Sequence, residues 1–121
     1  MIVEKGKFAH EDERGLIVDI VQSEQFEHAT VITSVAGSVR GHHYHKESIQ
    51  KVFILSGKML ALTRRPGEER EEIEVNAGDL ITHEVNERHA FVALEDTTFL
   101  VLTRGPRGGT DYESDTYREE V

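Results

Sequence analysis

The chain has 121 residues, a length that suits one domain with a single hydrophobic core. Its net charge of −9 argues against sequence-independent binding to nucleic acid, which depends on lysine and arginine side chains that neutralise phosphates. The chain has no cysteine, which excludes disulfides, iron–sulfur clusters and thiolate zinc sites. Any metal must therefore be held by nitrogen and oxygen ligands.

The hydropathy pattern contains no membrane-spanning segment. No apolar run approaches the ~18 residues of such a span, and the charged N-terminal segment lacks the apolar stretch of a signal peptide. We therefore expect a cytoplasmic protein that binds neither nucleic acid nor membrane.

Short runs rich in β-branched residues follow one another along the chain, separated by turn signals such as Ser56-Gly57 and Arg65-Pro66-Gly67. Eight of these runs are predicted as strands: Leu16–Val21, Ala29–Val35, Ile49–Leu55, Lys58–Thr63, Glu72–Val75, Leu80–Thr82, Ala90–Leu94 and Thr98–Thr103. Turns spaced by roughly 8–12 residues are typical of an all-β sandwich or barrel. No segment shows a long helical period.

The composition changes after the last predicted strand, and this change predicts the domain organisation. Residues 1–103 are expected to form the barrel, and residues 104–121 a polar, acidic tail. Gly105–Gly109 reads as a flexible joint. Tyr112 and Tyr117 indicate that part of the tail docks on the barrel or on a partner subunit.

The segment Val39–Gln50 places three histidines within four positions. Side chains alternate on an extended chain, so His43 and His45 point to one face, with Cα atoms roughly 6–7 Å apart. At that separation both imidazoles can converge on one atom. His42 and Tyr44 then point to the opposite face.

The two histidines belong to a pattern that resembles the first motif of the cupin superfamily, in which a glycine precedes a His-x-His pair and a glutamate and a second glycine follow. Here that motif reads Gly37, His43-Tyr44-His45, Gln50 and Gly57. The second cupin motif is matched by Gly78, Glu84-Val85-Asn86, His89 and Ala93. The resemblance implies a small all-β, single-domain double-stranded β-helix, the jelly-roll barrel of the cupins.

The resemblance also implies a metal site formed by His43, His45, Gln50 and His89. A divalent ion such as Zn, Ni, Fe or Mn is the expected cofactor, although an empty site that acts as a metal-free acid–base pair stays open. Gln50 replaces the usual glutamate, which removes a negative charge and weakens the expected affinity for a cation. Glu47 is an alternative source of a carboxylate, if the strand runs straight through Ser48.

One departure from the second motif and three histidines outside both motifs remain to be considered. Asn86 stands at the second-motif glycine, and asparagine tolerates the left-handed backbone conformation that such a position requires. Histidines outside the motifs, namely His10, His28 and His83, are expected to have surface or structural roles.

Three short segments narrow the resemblance. The segment Arg40–Lys46, "RGHHYHK", is similar to segments of dTDP-4-dehydrorhamnose 3,5-epimerases and of sugar 3,4-ketoisomerases. Glu11–Ile20, "EDERGLIVDI", is similar to the opening of the same enzymes. Glu113–Arg118, "ESDTYR", resembles the C-terminal cupin domain of capsular-polysaccharide epimerase/reductases. All three resemblances imply an enzyme whose small-molecule substrate is a nucleotide sugar.

This narrower resemblance implies an isomerase in which His43 removes a proton from a carbon next to a ketone. A histidine with a pKa near 6.5 suits that step. Arg40, protonated His45 or a metal would stabilise the enediolate, and Arg40 would equally suit a substrate phosphate. The epimerases use a tyrosine on a later strand, but Thr98–Thr103 contains none, so Tyr112 or Tyr117 would have to fold back.

Two other classes of function stay open at this point. A metal-dependent cupin dioxygenase or lyase would use the same histidines, and so would a cupin that binds a ligand without turnover. The exposed N-terminal strands, which carry Ile2, Val3 and Phe8, favour a homodimer because a small barrel has sheet edges to cover.

Overall fold

The computed structural model describes residues 1–106 and 114–121 as strands joined by turns and irregular segments, without a helix in these two ranges. The strands are β1 Ile2–Glu4, β2 His10–Asp12, β3 Gly15–Ile17, β4 His28–Ser34, β5 Val39–Tyr44, β6 Ile49–Ser56, β7 Lys58–Arg64, β8 Glu71–Asn76, β9 Leu80–His83, β10 Arg88–Ala93, β11 Thr97–Arg104 and β12 Tyr117–Arg118. The predicted all-β class is confirmed.

Two five-stranded antiparallel sheets face each other. One has the order β1-β9-β6-β11-β4 and the other the order β12-β5-β10-β7-β8, while β2 and β3 form a separate hairpin. The predicted strand over Leu16–Val21 is shorter than expected, since β3 ends at Ile17. The part of the chain that the structure describes contains no helix that could span a membrane.

The hydrophobic core lies between the inner faces of the two sheets. Alternate positions supply it, as the period of two along a strand requires: Val52, Ile54, Ile81, Phe99 and Val101 from one sheet and Met59, Ala61, Val75 and Phe91 from the other. Each of these side chains is at most 7% exposed. The core therefore fixes the register of both sheets.

A polar layer follows the apolar core at one end of the sandwich. In the first sheet Thr103, Gln50 and His83 lie side by side across β11, β6 and β9. In the second sheet His43, His89 and Thr63 form the matching row across β5, β10 and β7. The fold thus brings the two rows together between the sheets.

The C-terminal residues that the structure describes are part of the second sheet. In β12, Tyr117 pairs with Tyr44 and Arg118 with His43. Tyr117 therefore docks on its own barrel, which is the first of the two expected arrangements. Tyr112 and most of the predicted joint lie outside the described residues, and the division at residue 103 stays a prediction.

Candidate functional site

Three histidines converge in the polar layer. The ring centroids of His43 and His45 lie 5.0 Å apart, those of His43 and His89 4.7 Å, and those of His45 and His89 5.2 Å. One nitrogen from each ring lies within 4.8 Å of the others. His45 and His89 are 2% and 3% exposed, whereas His43 is half-buried, so His43 is the ring that a ligand reaches first.

Gln50 lies beside this triad, and Glu47 does not. The side chain of Gln50 is buried; its Oε1 is 3.2 Å from His45 Nε2, and its Nε2 donates to Thr103 Oγ1 at 3.3 Å. The chain bends over residues 46–47, and Glu47 is exposed. The structure therefore places the neutral amide, and not the carboxylate, next to the histidines.

The buried ring of His89 is held in one orientation. Its Nδ1 lies 3.2 Å from the main-chain oxygen of Glu87, an acceptor, so Nδ1 carries the proton and Nε2 the lone pair. Burial, and then the neighbouring rings of His83, His43 and His45, hold the pKa of His89 well below 6.5. His89 is therefore neutral at pH 7.

A second histidine with a buried carboxylate supports His89 from behind. The ring of His83 stacks on that of His89, with centroids 4.3 Å apart and planes at 16°, and its Nδ1 is 2.9 Å from Glu87 Oε1. Burial raises the pKa of Glu87, but hydrogen bonds from His83 and the Met1 amino group lower it by more. The net pKa is below the ordinary value, so the carboxylate is ionised. Sequence reasoning assigned His83 a structural role and did not single out Glu87. The i, i+4 pairing of the two was the available signal.

A β-bulge brings Arg40 to the same face as His43. In the pairing of β10 with β5, His89 lies opposite His43 and Ala90 opposite Gly41, which leaves His42 as the extra residue. His42 has a φ of 57° and Gly41 a φ of 101°. A Cβ at Gly41 would lie 2.7 Å from the main-chain oxygen of His89, so the bulge requires glycine.

The bulge changes which side chains of β5 share a face. Strict alternation would place Arg40 and His43 on opposite faces, but here Arg40 pairs with Phe91, whose side chain is in the core. The guanidinium of Arg40 donates through Nε to Ser34 Oγ at 2.7 Å and through Nη2 to the Thr33 oxygen at 2.9 Å. These two bonds hold the guanidinium between the two sheets.

A cavity of about 360 Å³ opens beside the triad. It is lined by Thr30, Ile32, Val39, Arg40, Gly41, His43, Gln50, Val52, His89, Phe91, Phe99, Val101, Thr116 and Arg118. Within the described ranges, the lining contains two arginines and no aspartate or glutamate, in a chain with 23 acidic residues. Its charge therefore favours an anionic ligand.

The C-terminal strand forms one wall of this cavity. Arg118 Nη1 lies 3.4 Å from His43 Nδ1, and Thr116 also faces the cavity. Sequence reasoning placed these residues in a polar tail. The "ESDTYR" resemblance was the signal that connected them with the barrel.

The remaining candidates lie elsewhere. His42 accepts a hydrogen bond from the Val121 amide through Nδ1, and Tyr44 stacks on Tyr117 with ring centroids 5.4 Å apart, away from the cavity lining. His10 pairs with Asp12 on the exposed β2–β3 hairpin. Asn86 has a φ of 65°, so the left-handed conformation expected there is confirmed.

The donor set of the triad fits a nitrogen-preferring divalent metal. Zn–N bonds are about 2.0–2.1 Å long, so two nitrogens on one ion are up to ~4 Å apart, and the triad needs only a small contraction. His45 and His89 each direct Nδ1 to a main-chain oxygen, that of Asp115 at 2.8 Å and that of Glu87 at 3.2 Å. Ligand histidines are oriented in this way in metal sites.

Similar structures share most of the fold. A double mutant of the QdtA 3,4-ketoisomerase from Thermoanaerobacterium thermosaccharolyticum, in complex with TDP, superposes with a TM-score of 0.79 and 25% identity over 97% of this chain and 87% of that chain. The dTDP-4-dehydrorhamnose 3,5-epimerase from Sulfolobus tokodaii has a TM-score of 0.73 and 21% identity, covering 83% of this chain and 68% of that chain.

The capsular polysaccharide assembling protein CapF from Staphylococcus aureus is a longer protein, part of which has a similar structure. It has a TM-score of 0.67 and 23% identity over 93% of this chain, but the match covers only 32% of CapF. No curated protein matches the sequence.

The sequence profile of the polysaccharide biosynthesis C-terminal domain matches residues 10–102, more than three quarters of the chain. That span includes the histidine triad, Gln50 and Arg40. The cupin resemblance is confirmed by the fold, and the chain belongs to the polysaccharide biosynthesis C-terminal domain family.

Proposed function

We propose that the protein is an isomerase that acts on a nucleotide-linked keto sugar by removing a proton from a carbon next to the ketone. The observation that carries this proposal is the cavity beside the histidine triad, whose lining among the described residues includes two arginines and no carboxylate. Similar structures include a ketoisomerase in complex with TDP-4-keto-6-deoxyglucose, which supplies the substrate class.

His43 is the proposed base. It is the half-buried member of the triad and lines the cavity, whereas His45 is buried behind it. When His43 takes the proton, the C–H electron pair forms the carbon–carbon double bond of an enediolate and the carbonyl oxygen gains the negative charge. The hydroxyl proton on the carbon that lost hydrogen then moves to the former carbonyl oxygen. Return of the abstracted proton from His43 to the former carbonyl carbon leaves the ketone one position along the ring.

Positive charge next to the cavity stabilises that oxygen. Arg40 is held by Ser34 and Thr33 through Nε and Nη2, and its Nη1 makes no hydrogen bond among the described residues, so it can donate to a ligand. Arg118 is the second cation. A sugar nucleotide presents both a developing oxyanion and a diphosphate, and two arginines suit this pair of charges.

A ketone shift on one face of the sugar fits the cavity better than a two-face epimerisation. Two-face epimerisation needs a second proton donor across the ring from His43. None of the described lining residues is a tyrosine, and Tyr44 and Tyr117 stack on each other away from the lining. We therefore propose ketoisomerisation as the reaction.

The proposed metal site consists of His43, His45, His89 and the Gln50 amide oxygen. When bound, a divalent ion would supply Lewis-acid charge for the enediolate oxygen. Without it, a protonated His45 would donate from Nδ1 to the Asp115 oxygen and from Nε2 to Gln50 Oε1. Because a ring nitrogen that binds the ion cannot also take a proton, the abstraction by His43 described above belongs to the metal-free form.

The homodimer and the cytoplasmic location belong to this proposal as well. Exposed apolar side chains on the outer surface of β4 and on the β2–β3 hairpin, namely Val31, Leu16 and Ile17, support a second copy as a partner. A dioxygenase or lyase is not favoured, because the similar structures reported above act on sugars or assemble polysaccharide.

The test is turnover of TDP-4-keto-6-deoxyglucose in D₂O, followed by NMR and mass spectrometry. We expect a product whose ketone has moved and which carries deuterium at the former carbonyl carbon, and recovered substrate with deuterium at the carbon next to its ketone. Samples stripped with a chelator and reloaded with Zn²⁺ separate the metal-dependent from the metal-free form. Saturable binding of TDP without any exchange would contradict the proposal and identify a binding protein instead.

A further inference from the structure

A single aspartate of the C-terminal segment binds three consecutive main-chain amides. Asp115 Oδ1 accepts a hydrogen bond from the Lys46 amide at 2.9 Å, and Oδ2 accepts bonds from the amides of Glu47 at 2.9 Å and Ser48 at 2.7 Å. These amides form the turn that follows β5. Consecutive amides of this kind form a cradle for an anion, and here the carboxylate fills it.

The same aspartate also contacts a triad histidine. The main-chain oxygen of Asp115 accepts a hydrogen bond from His45 Nδ1 at 2.8 Å, and its backbone has a φ of 58°, in the left-handed region. His45 directly precedes the turn that the carboxylate holds. The side chain of Asp115 therefore binds residues 46–48, and its main chain binds the adjacent His45.

The carboxylate is ionised at neutral pH. Burial raises the pKa of Asp115, but hydrogen bonds from the amides of Lys46, Glu47 and Ser48 lower it by more, so the net shift is downward. Charge-assisted bonds to amides are stronger than neutral ones. They hold the main-chain oxygen in place, and this oxygen fixes the proton of His45 on Nδ1.

The contact matters because His45 is fully enclosed. The ring is 2% exposed, and its Nε2 faces Gln50 Oε1 at 3.2 Å, inside the polar layer. An acceptor on Nδ1 decides which nitrogen is directed towards the triad. Asp115 lies beyond the span 10–102 of the family profile, so the family pattern does not include it.

We propose that Asp115 is a positioning residue of the site, which sets the ring orientation and tautomer of His45 from the C-terminal segment. The kinetic consequence rests on the proposed function. The statement about the ring does not, because it concerns one hydrogen bond in the free protein.

The test compares Asp115→Asn with a matched control, Glu119→Gln. Asparagine places an NH₂ group against main-chain donors and so breaks part of the cradle. Glu119 also anchors the C-terminal strand, through Arg64 at 3.0 Å and through Arg88, but it does not contact His45. Both variants weaken docking of the strand, and only the first alters the His45 contact.

Two readouts are measured on the full-length variants. The ¹⁵N spectrum of the histidine rings reports which nitrogen of His45 carries the proton. Steady-state kinetics with TDP-4-keto-6-deoxyglucose report kcat and KM. We expect Asp115→Asn to lose the fixed Nδ1 proton and to lower kcat about 10- to 100-fold with KM little changed, as loss of orienting partners does. Glu119→Gln is expected to keep the ring signal and kcat.

Each alternative result has a defined meaning. Equal loss of kcat in both variants, in step with their melting temperatures, would show a merely structural role and overturn the proposal. An unprotonated Nδ1 of His45 in the unmodified protein would overturn it even if Asp115→Asn does not fold. If the unmodified protein does not turn over the substrate, the proposed function fails while the ring spectra still decide this inference.

Discussion

Two aspartate carboxylates, Asp79 and Asp115, each accept main-chain amide hydrogen bonds and so attach one terminal segment to the barrel. Only one of the two segments contacts the candidate site. Asp79, between β8 and β9, accepts hydrogen bonds from the Gly6 amide at 2.9 Å, the Asn76 amide at 2.7 Å and the Lys5 ammonium. Asp115 accepts three main-chain amides in the turn after β5. Burial raises the pKa of both carboxyls, but hydrogen bonds lower it by more, chiefly from Lys5 at Asp79 and from main-chain amides at Asp115.

The difference lies in what each anchored segment touches. Asp79 ties the N-terminal segment to a turn and contacts none of the cavity residues, whereas Asp115 contacts His45. The comparison teaches that a tight carboxylate cradle is not by itself a sign of function. It acquires a role only where a reacting group lies within one hydrogen bond of it.

The largest contrast is expected when the Asp79 cradle is broken. Asp79→Asn is expected to lower the free energy of unfolding by about 2 kcal/mol, because buried amides and an ammonium lose a charged acceptor. Activity per folded molecule stays within a few-fold of the unmodified protein, unlike that of Asp115→Asn. Urea unfolding and kcat, measured on the same preparation, check this prediction. A drop in kcat as large as that of Asp115→Asn would remove the distinction between the two regions.

A smaller effect of pH sharpens the same comparison. Burial raises the pKa of Asp79, but the bonds from Lys5, Asn76 and Gly6 lower it more, to a value below 3.8. A carboxyl group with a folded pKa below its unfolded value stabilises the fold above that unfolded value, and this stabilisation is lost as the pH falls through the folded pKa. The stability gap between the unmodified protein and Asp79→Asn should therefore shrink below about pH 4. A gap that stays constant from pH 7 to pH 3 would contradict this account.

Much of the site could be predicted from the sequence, because strand alternation is a geometric property of the backbone. It placed His43 and His45 on one face and Tyr44 on the other, and the structure has this arrangement. The spacing of the second motif joined His89 to them. Asn86 was correctly expected in a left-handed turn.

The parts that could not be predicted depend on pairing between distant segments. Alternation alone places Arg40 away from His43, and only the bulge at His42, seen in the register with β10, brings both to the cavity. The roles of Asp115 and Arg118 depend on β12 pairing with β5, which a polar, acidic segment does not reveal. Glu87 was missed because the i, i+4 spacing of His83 and Glu87 indicates a contact only once the turn between β9 and β10 is known.

The neighbouring residues His42 and His43 provide the most direct test of the central claim that proton abstraction occurs at the cavity. His43 lines the cavity, while His42 occupies the bulge and accepts a bond from the Val121 amide. Rates of deuterium incorporation into TDP-4-keto-6-deoxyglucose are measured for His43→Asn and His42→Asn, since asparagine tolerates the backbone of the bulge. Loss of a base at His43 is expected to slow exchange by about 100-fold or more, and His42→Asn should stay within a few-fold of the unmodified protein. Similar rates in the two variants would contradict the account.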